Sequence, residues 1–262
     1  MTAPVADRRA RIRLLLARDG EVRFDALARE FGVSEMTVRR DIDQLEAEGV
    51  ARRVRHGAID VTGRSSEPRF SRRAAVEAPA KAAIAAAVAE LLPASGGLVL
   101  DSGTTVLEVA RRMSGLRPDL TVITPSVLVA THLADRGARV VLTAGSVRPE
   151  ELSVIGPEAV ASFEGLHCEM AVLGVAGLDL DRGLTDYSLE EARVKAAAVR
   201  VSRRVVVAVD RTKLGRVFFA AVAPVGAVHV LVTDAEPGHP VLRALRDRGT
   251  QVVTVDARGA AG

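Results

Sequence analysis

The sequence predicts an α/β protein in two parts: a short, mostly helical N-terminal segment closed by a small hairpin, then an open, mostly parallel α/β sheet. Three observations carry this expectation. Up to about residue 50 the apolar positions recur at helical spacing and the runs end on glycines. From Lys81 onward, short β-branched apolar runs alternate with helical segments. The basic charge is also uneven: residues 1–73 carry 16 arginines against 12 acidic residues, whereas the rest of the chain carries 20 basic against 21 acidic.

At 262 residues and 48% hydrophobic, the chain has enough apolar surface for a substantial core without staples. Its one cysteine, Cys168, excludes an internal disulfide, and the five histidines have no metal-ligand spacing, so no metal and no cofactor are expected. The start, "MTAPVADRRARIR", has no apolar h-region, and the longest apolar stretch, "AAIAAAVAELL", is too short for a bilayer. A cytoplasmic protein without a membrane partner is expected.

Element by element, "RRARIRLLLARDG" places Ile12, Leu15 and Leu16 on one helical stripe and stops at Gly20. "FDALAREFG" repeats this with Leu27, Ala28 and Phe31, stopping at Gly32. "VSEMTVRRDIDQLEAEG" begins from Ser34 as N-cap, buries Val38, Ile42 and Leu45, and stops at Gly49. Three helices, the last two joined by a tight turn, make a helix-turn-helix, and the alternating "VARRVRHGAI" makes a wing. The resulting division is a winged helix-turn-helix over 1–60, a Ser-, Pro- and Arg-rich linker over 61–79, and an α/β domain over 80–262. In the last, strands are expected at 98–101, 120–124, 139–143, 170–174, 204–209, 229–233 and 251–255, with helices near 80–92, 104–114, 126–136, 189–202 and 241–248.

On the third helix, a rotation of about 100° per residue turns Met36, Arg40 and Asp43 away from the buried stripe, with Thr37 and Arg39 on the flanks. Arginine pairs bidentately with guanine in the major groove, and Ser34, Thr37 and the helix N-terminus suit phosphates. Arg52, Arg53 and Arg55 of the wing would hold the DNA backbone or enter the minor groove. The plainer alternative is that Arg39 and Arg40 pair with acids such as Asp43.

In the α/β part, "LVLDSGTTVLEVARRM" reads as a strand ending at Asp101, a turn of Ser102, Gly103, Thr104 and Thr105, then a helix: a loop that offers backbone N–H groups, hydroxyls and a helix dipole to an anion. Further polar turns carry Thr124 with Ser126, Thr143 with Gly145, Gly174 with Gly177, and Asp210 with Lys213, and a parallel sheet gathers them on one edge. "GLTDYSLEEARVKAAA" adds Thr185, Asp186, Glu191 and Lys195. Glu191 and Lys195 are either a surface i,i+4 ion pair or, more sharply, a pair in which Lys195 meets a phosphate and Glu191 meets sugar hydroxyls.

These motifs resemble DeoR-type bacterial transcriptional regulators. "VSEMTVRRDIDQLEAEGVARRVRHGA" is similar to that family's DNA-binding segment through Val33, Ser34, Thr37, Val38, Arg39, Arg40, Asp41, Leu45, Gly49, Arg53, Gly57 and Ala58. It departs at Arg55, where histidine is usual, and at His56, which replaces a glycine. Leu100 to Thr105, Leu120 to Ser126, Glu191–Ala192 with Lys195, and Asp210 with Lys213 and Gly215 resemble the effector-sensing half. Pro125 replaces an asparagine and Ala144 a glycine.

The resemblance implies a sensor domain similar in fold to ribose-phosphate isomerases and CoA transferases. It implies a repressor of carbohydrate-metabolism genes, operator DNA and a phosphorylated sugar as partners, and a homodimer or higher homo-oligomer. The rival is a sugar-phosphate isomerase with an attached DNA-binding domain, Asp186 or Glu191 acting as base; a third reading is a DNA-binding protein that takes no ligand.

Overall fold

The computed structural model describes residues 5–19, 21–60, 70–113, 119–149 and 151–257, and forms two units, Met1–Arg69 and Phe70–Gly262. In the first unit, α1 (Val5–Asp19) leads through β1 (Glu21–Arg23) to α2 (Phe24–Phe31) and α3 (Glu35–Ala47), followed by β2 (Ala51–Val54) and β3 (Gly57–Asp60). Ile12, Leu16, Val38, Ile42 and Leu45 are fully buried in one cluster with Phe24 and Leu27, so the helical spacing of the apolar residues becomes the core. Gly32 ends α2 in the left-handed region at φ 63°, and Ser34 opens α3, its Oγ accepting the Thr37 amide at 3.2 Å. This is the expected helix-turn-helix.

The wing has a third strand that was not expected. β1, only three residues long, pairs antiparallel with β3, giving the order β1-β3-β2. The β2–β3 hairpin turns on Arg55 and His56, with Val54 opposite Gly57, and neither turn residue has a positive φ. Histidine therefore stands where glycine is usual without strain. The glycine that the wing requires is Gly57, where a Cβ would lie 1.9 Å from the Val22 carbonyl oxygen.

The second unit starts with α4 (Phe70–Ala75) and α5 (Ala78–Ala89). Of the expected linker, 61–69 lie outside the described residues, and 70–79 hold α4 and the start of α5. The seven expected strands are β4 (Gly96–Leu100), β5 (Leu120–Thr124), β6 (Arg139–Leu142), β9 (Cys168–Leu173), β12 (Ser202–Ala208), β14 (Val230–Thr233) and β15 (Gln251–Thr254). They form one sheet of order β15-β14-β12-β9-β4-β5-β6, parallel throughout.

Alternate strand residues face opposite layers. Leu98, Leu100, Val122, Val172 and Val206 pack with α5, α6 (Thr104–Arg112) and α7 (Val127–Ala134). Val99, Ala171, Leu173, Val205 and Val207 pack with α8 (Pro157–Ala161), α9 (Leu189–Val201) and α10 (Pro240–Asp247). Helices on both faces explain why the strands read as unbroken apolar runs.

Short strands follow the carboxyl ends of the sheet strands: β7 (Ser146–Arg148) pairs with β8 (Ser153–Ile155), and β10 (Gly177–Asp179) and β13 (Ala220–Ala223) flank β11 (Gly183–Asp186). From β4 the chain proceeds outward to β5 and β6, then returns to place β9 on the other side of β4. The β4–β9 junction is thus the topological switch point, where the crevice of an open α/β sheet lies.

Candidate functional site

Of the residues proposed to read DNA, the outward face of α3 holds Met36, 62% exposed, and Arg40, which is exposed and has no ion pair or hydrogen bond among the described residues. Thr37 shares a 3.0 Å hydroxyl contact with Ser34. Arg39 lies over the Phe24 ring at 4.6 Å and 3.6 Å from Glu35, so its guanidinium is aimed by the fold. Asp43 pairs with Arg53 of the wing at 2.9 Å rather than with Arg39 or Arg40, and Glu46 accepts the Arg53 amide at 3.0 Å. Arg52 and Arg55 are exposed. Sequence reasoning gave no role to Asp41, which is 2% exposed and ties α1 to α3 by accepting Arg8 at 2.5 Å and Arg9 at 3.0 Å. Its position between Val38 and Ile42 already put it on the buried side of the helix.

At the switch point, Asp101 leaves β4 and is 2% exposed. Its Oδ2 accepts the Gly174 amide at 3.1 Å, bridging the ends of β4 and β9, and also accepts Lys195 Nζ from α9. Lys195 donates to the Gly174 carbonyl at 2.9 Å and stands 3.6 Å from Asp186 at the end of β11. Glu191, one turn earlier on α9, accepts Ser153 Oγ at 2.5 Å and pairs with Arg148 at 3.2 Å. The four-residue spacing therefore makes no Glu191–Lys195 ion pair among the described residues. Each side chain reaches inward to a different strand end.

Three carboxylates, Asp101, Asp186 and Glu191, thus share two cations, Lys195 and Arg148, in a buried site. Burial pushes the Asp101 and Asp186 carboxyls up, against the pull of Lys195. Burial opposes the charge on Lys195 as well, yet the surrounding carboxylates outweigh it and hold the ammonium well above its ordinary range.

Beside this acidic wall, α6 opens at Gly103, with φ 124° and no side-chain cap. Ser102 just before it and Thr104 and Thr105 in its first turn are each at most 8% exposed, and first-turn N–H groups have no partner within a helix. Three other expected ligands serve the chain itself. Thr124 Oγ1 accepts the Ser126 amide at 3.0 Å, Ser126 Oγ caps α7 through the Val129 amide at 3.2 Å, and a Cβ on Gly145 would lie 2.4 Å from the Ile155 carbonyl. Pro125 contributes its carbonyl, which accepts the Val154 amide at 2.6 Å. Lys213 belongs to a second charged group with Lys81 and Asp210; burial there brings the Lys81 ammonium down to about 8. Thr143, 4% exposed at the end of β6, has a hydroxyl without a hydrogen-bond partner among the described residues.

A DeoR-like helix-turn-helix domain matches residues 8–63, and the DeoR C terminal sensor domain matches residues 76–235. The chain belongs to the DeoR family. As a DeoR-family protein it is a DNA-binding transcriptional regulator with an attached sensor domain. It is 31% identical to the HTH-type transcriptional regulator GlpR of Haloferax volcanii, over 97% of this chain and 99% of that one. It is 29% identical to the glycerol-3-phosphate regulon repressor of Escherichia coli K12, over 91% and 94%, and 32% identical to the transcriptional repressor AccR of Agrobacterium fabrum, over 87% and 89%. Solved structures similar to it include the full-length sorbitol operon regulator SorC of Klebsiella pneumoniae, with TM-score 0.40 and 11% identity over 97% and 98% of the two chains. Ribose 5 phosphate isomerase A of Neisseria gonorrhoeae has TM-score 0.37 and 14% identity over 53% of each.

Proposed function

We propose that this DeoR-family chain is a repressor of carbohydrate-metabolism genes that leaves its operator when a phosphorylated sugar or related phosphometabolite binds the sensor unit. The observation that carries the reading is the juxtaposition at the switch point of an uncapped helix N-terminus with a wall of carboxylates. These two surfaces suit the two ends of a phosphosugar. The acidic wall repels a phosphate, so the phosphoryl group goes to the α6 N–H groups and to Ser102, Thr104 and Thr105. Asp186 and Glu191 are then left to accept sugar hydroxyls, with Lys195 positioning Asp101 and Asp186. Glycerol 3-phosphate, named in one relative, shares this pairing of phosphate and hydroxyls.

The same geometry disfavours the isomerase reading. Lys195 is held by Asp101 and by the Gly174 carbonyl, so it is not poised as an electrophile. The protein then acts in the cytoplasm, as a homodimer or higher homo-oligomer that places one α3 in each half-site of double-stranded operator DNA.

The test is a thermal-shift panel of glycerol 3-phosphate, fructose 6-phosphate, ribose 5-phosphate and inorganic phosphate, followed by operator gel shifts. A compound at a hundredfold its Kd stabilises the unit it binds by about 2.7 kcal/mol, and the same compound should release DNA. Turnover of any sugar phosphate that is lost in Asp186→Asn or Glu191→Gln would overturn the sensor reading in favour of an enzyme.

A further inference from the structure

We infer that Arg73 and Glu151 form a latch that ties the candidate effector site to α4, the first helix of the sensor unit; the inference rests on the effector reading proposed above. The path starts at Glu191, which holds the segment between β7 and β8 from both ends, through Arg148 at 3.2 Å and Ser153 at 2.5 Å. Its described residues are tied to their surroundings: the Leu152 amide donates to the Arg148 carbonyl at 2.8 Å, and the Leu152 carbonyl accepts the first amide of α7 at 2.9 Å. Glu151, just before Leu152 and 5% exposed, bonds the Arg73 guanidinium of α4.

α4 is gripped from its other end by Lys81 of α5, whose ammonium donates to the Arg73 carbonyl and to the Val76 carbonyl at 2.6 Å. Asp210 and Glu77 face that ammonium as anions, and Lys213 and Arg73 as cations. Glu77 in turn pairs at 3.0 Å with Arg211, which also bonds Asp234. The path from the α9 carboxylate to the helix through which the chain enters the unit thus runs over hydrogen bonds and ion pairs to either side of the backbone between Arg148 and Ser153.

Backbone conformation marks the two ends of this grip. Among the described residues, the non-glycine positions with positive φ are Leu152, at 50°, and Glu77, at 53°. A side chain in that region crowds its own backbone, so a segment held there has a relaxed alternative as soon as its restraints are removed. Leu152 lies between Glu151 and Ser153, and Glu77 lies in the corner between α4 and α5. A sugar hydroxyl that takes the place of Ser153 or Arg148 on Glu191 frees the turn, withdraws Glu151 from Arg73 and loosens α4. Binding energy at α9 is thereby converted into a change at the element nearest the DNA-binding unit in sequence.

Hydrogen exchange on the full-length protein tests the latch without any ligand. Arg73→Met should raise exchange in peptides covering residues 70–81 about tenfold, as the loss of a charge-assisted bond implies. Glu191→Gln should raise exchange in the turn at 148–153 and also in 70–81, and should add nothing further to 70–81 in the Arg73→Met background. If Glu191→Gln leaves 70–81 unchanged, or its effect there persists without Arg73, the latch is wrong. Should Glu191→Gln fail to fold, Ser153→Ala removes the same hydrogen bond from the other side.

A second arm separates this inference from the effector reading. With a panel compound that stabilises the wild type, Arg73→Met should keep the stabilisation but need at least ten times more compound to release operator DNA; ordinary release overturns the latch. If no compound stabilises the protein, the effector reading fails and the exchange result alone decides the latch.

Discussion

Single side chains in the two units carry opposite kinds of charge arrangement. Asp41 is a buried anion matched by Arg8 and Arg9, so Asp41→Ala should lower the stability of the DNA-binding unit by about 3 kcal/mol, the usual effect of breaking a buried ion pair. Chemical unfolding followed by circular dichroism reads it. Arg40 is exposed, and Arg40→Ala should leave stability unchanged while weakening operator binding by about 1–3 kcal/mol and reducing its salt slope by about one; unchanged operator affinity would remove Arg40 from the interface. Asp186 is the reverse of Asp41, a carboxylate with too little compensation. Burial raises its native carboxyl pKa above the unfolded one, so its contribution is present below the unfolded value and is lost as pH rises through the native value. Asp186→Asn should therefore match the wild type in acid and become the more stable protein towards neutral pH. A variant less stable than wild type at neutral pH would mean that attraction to Lys195 outweighs burial.

At the scale of elements, a strand was legible where burial on both faces forced an unbroken apolar run. That is why β4, β5, β6, β9, β12, β14 and β15 were each anticipated to within two residues at either end. The helices of the first unit were legible through their caps, as at Ser34 and Gly32, and α5, α6, α7, α9 and α10 through their place between apolar runs, whereas α4 and α8 were not legible. β1, β7, β8, β10, β11 and β13 were not, because three or four residues are too few to show a period of two, and their pairing is set by distant partners. The site was legible to the same degree. The hydroxyl-rich turns after parallel strands do gather at one edge of the sheet, but the sequence could not show that Thr124 and Ser126 are consumed by their own turn and cap. Nor could it show that Glu151 and Arg73, 78 residues apart, would meet. The wing supplies an element-scale prediction. Gly57→Ala places a Cβ against the Val22 carbonyl and should destabilise the β1–β3 pairing by more than about 2 kcal/mol, with loss of operator binding. Wild-type stability in that variant would show that β1 can move aside.

For the whole molecule, the decisive feature is that the cores are separate. Among the described residues, the cluster around Ile12, Leu16, Val38 and Ile42 draws only on residues before 60, and the two clusters flanking the large sheet draw only on residues after 69. Two cores of such different size have different unfolding enthalpies, which scale with residue number. Calorimetry on the full-length protein should therefore resolve two transitions, and the larger should belong to the sensor unit. The proposed effector binds at the β4–β9 edge, so it should raise the sensor transition in proportion to the logarithm of its concentration. If effector binding is coupled to DNA release, operator DNA should raise the other transition, and effector should reduce that gain by the same free energy by which DNA reduces effector affinity, because linkage is reciprocal. Lys195→Ala should abolish the effector's shift of the sensor transition while leaving the DNA-induced shift intact. A single transition displaced as one by either ligand would instead mean that the two units melt as one cooperative body.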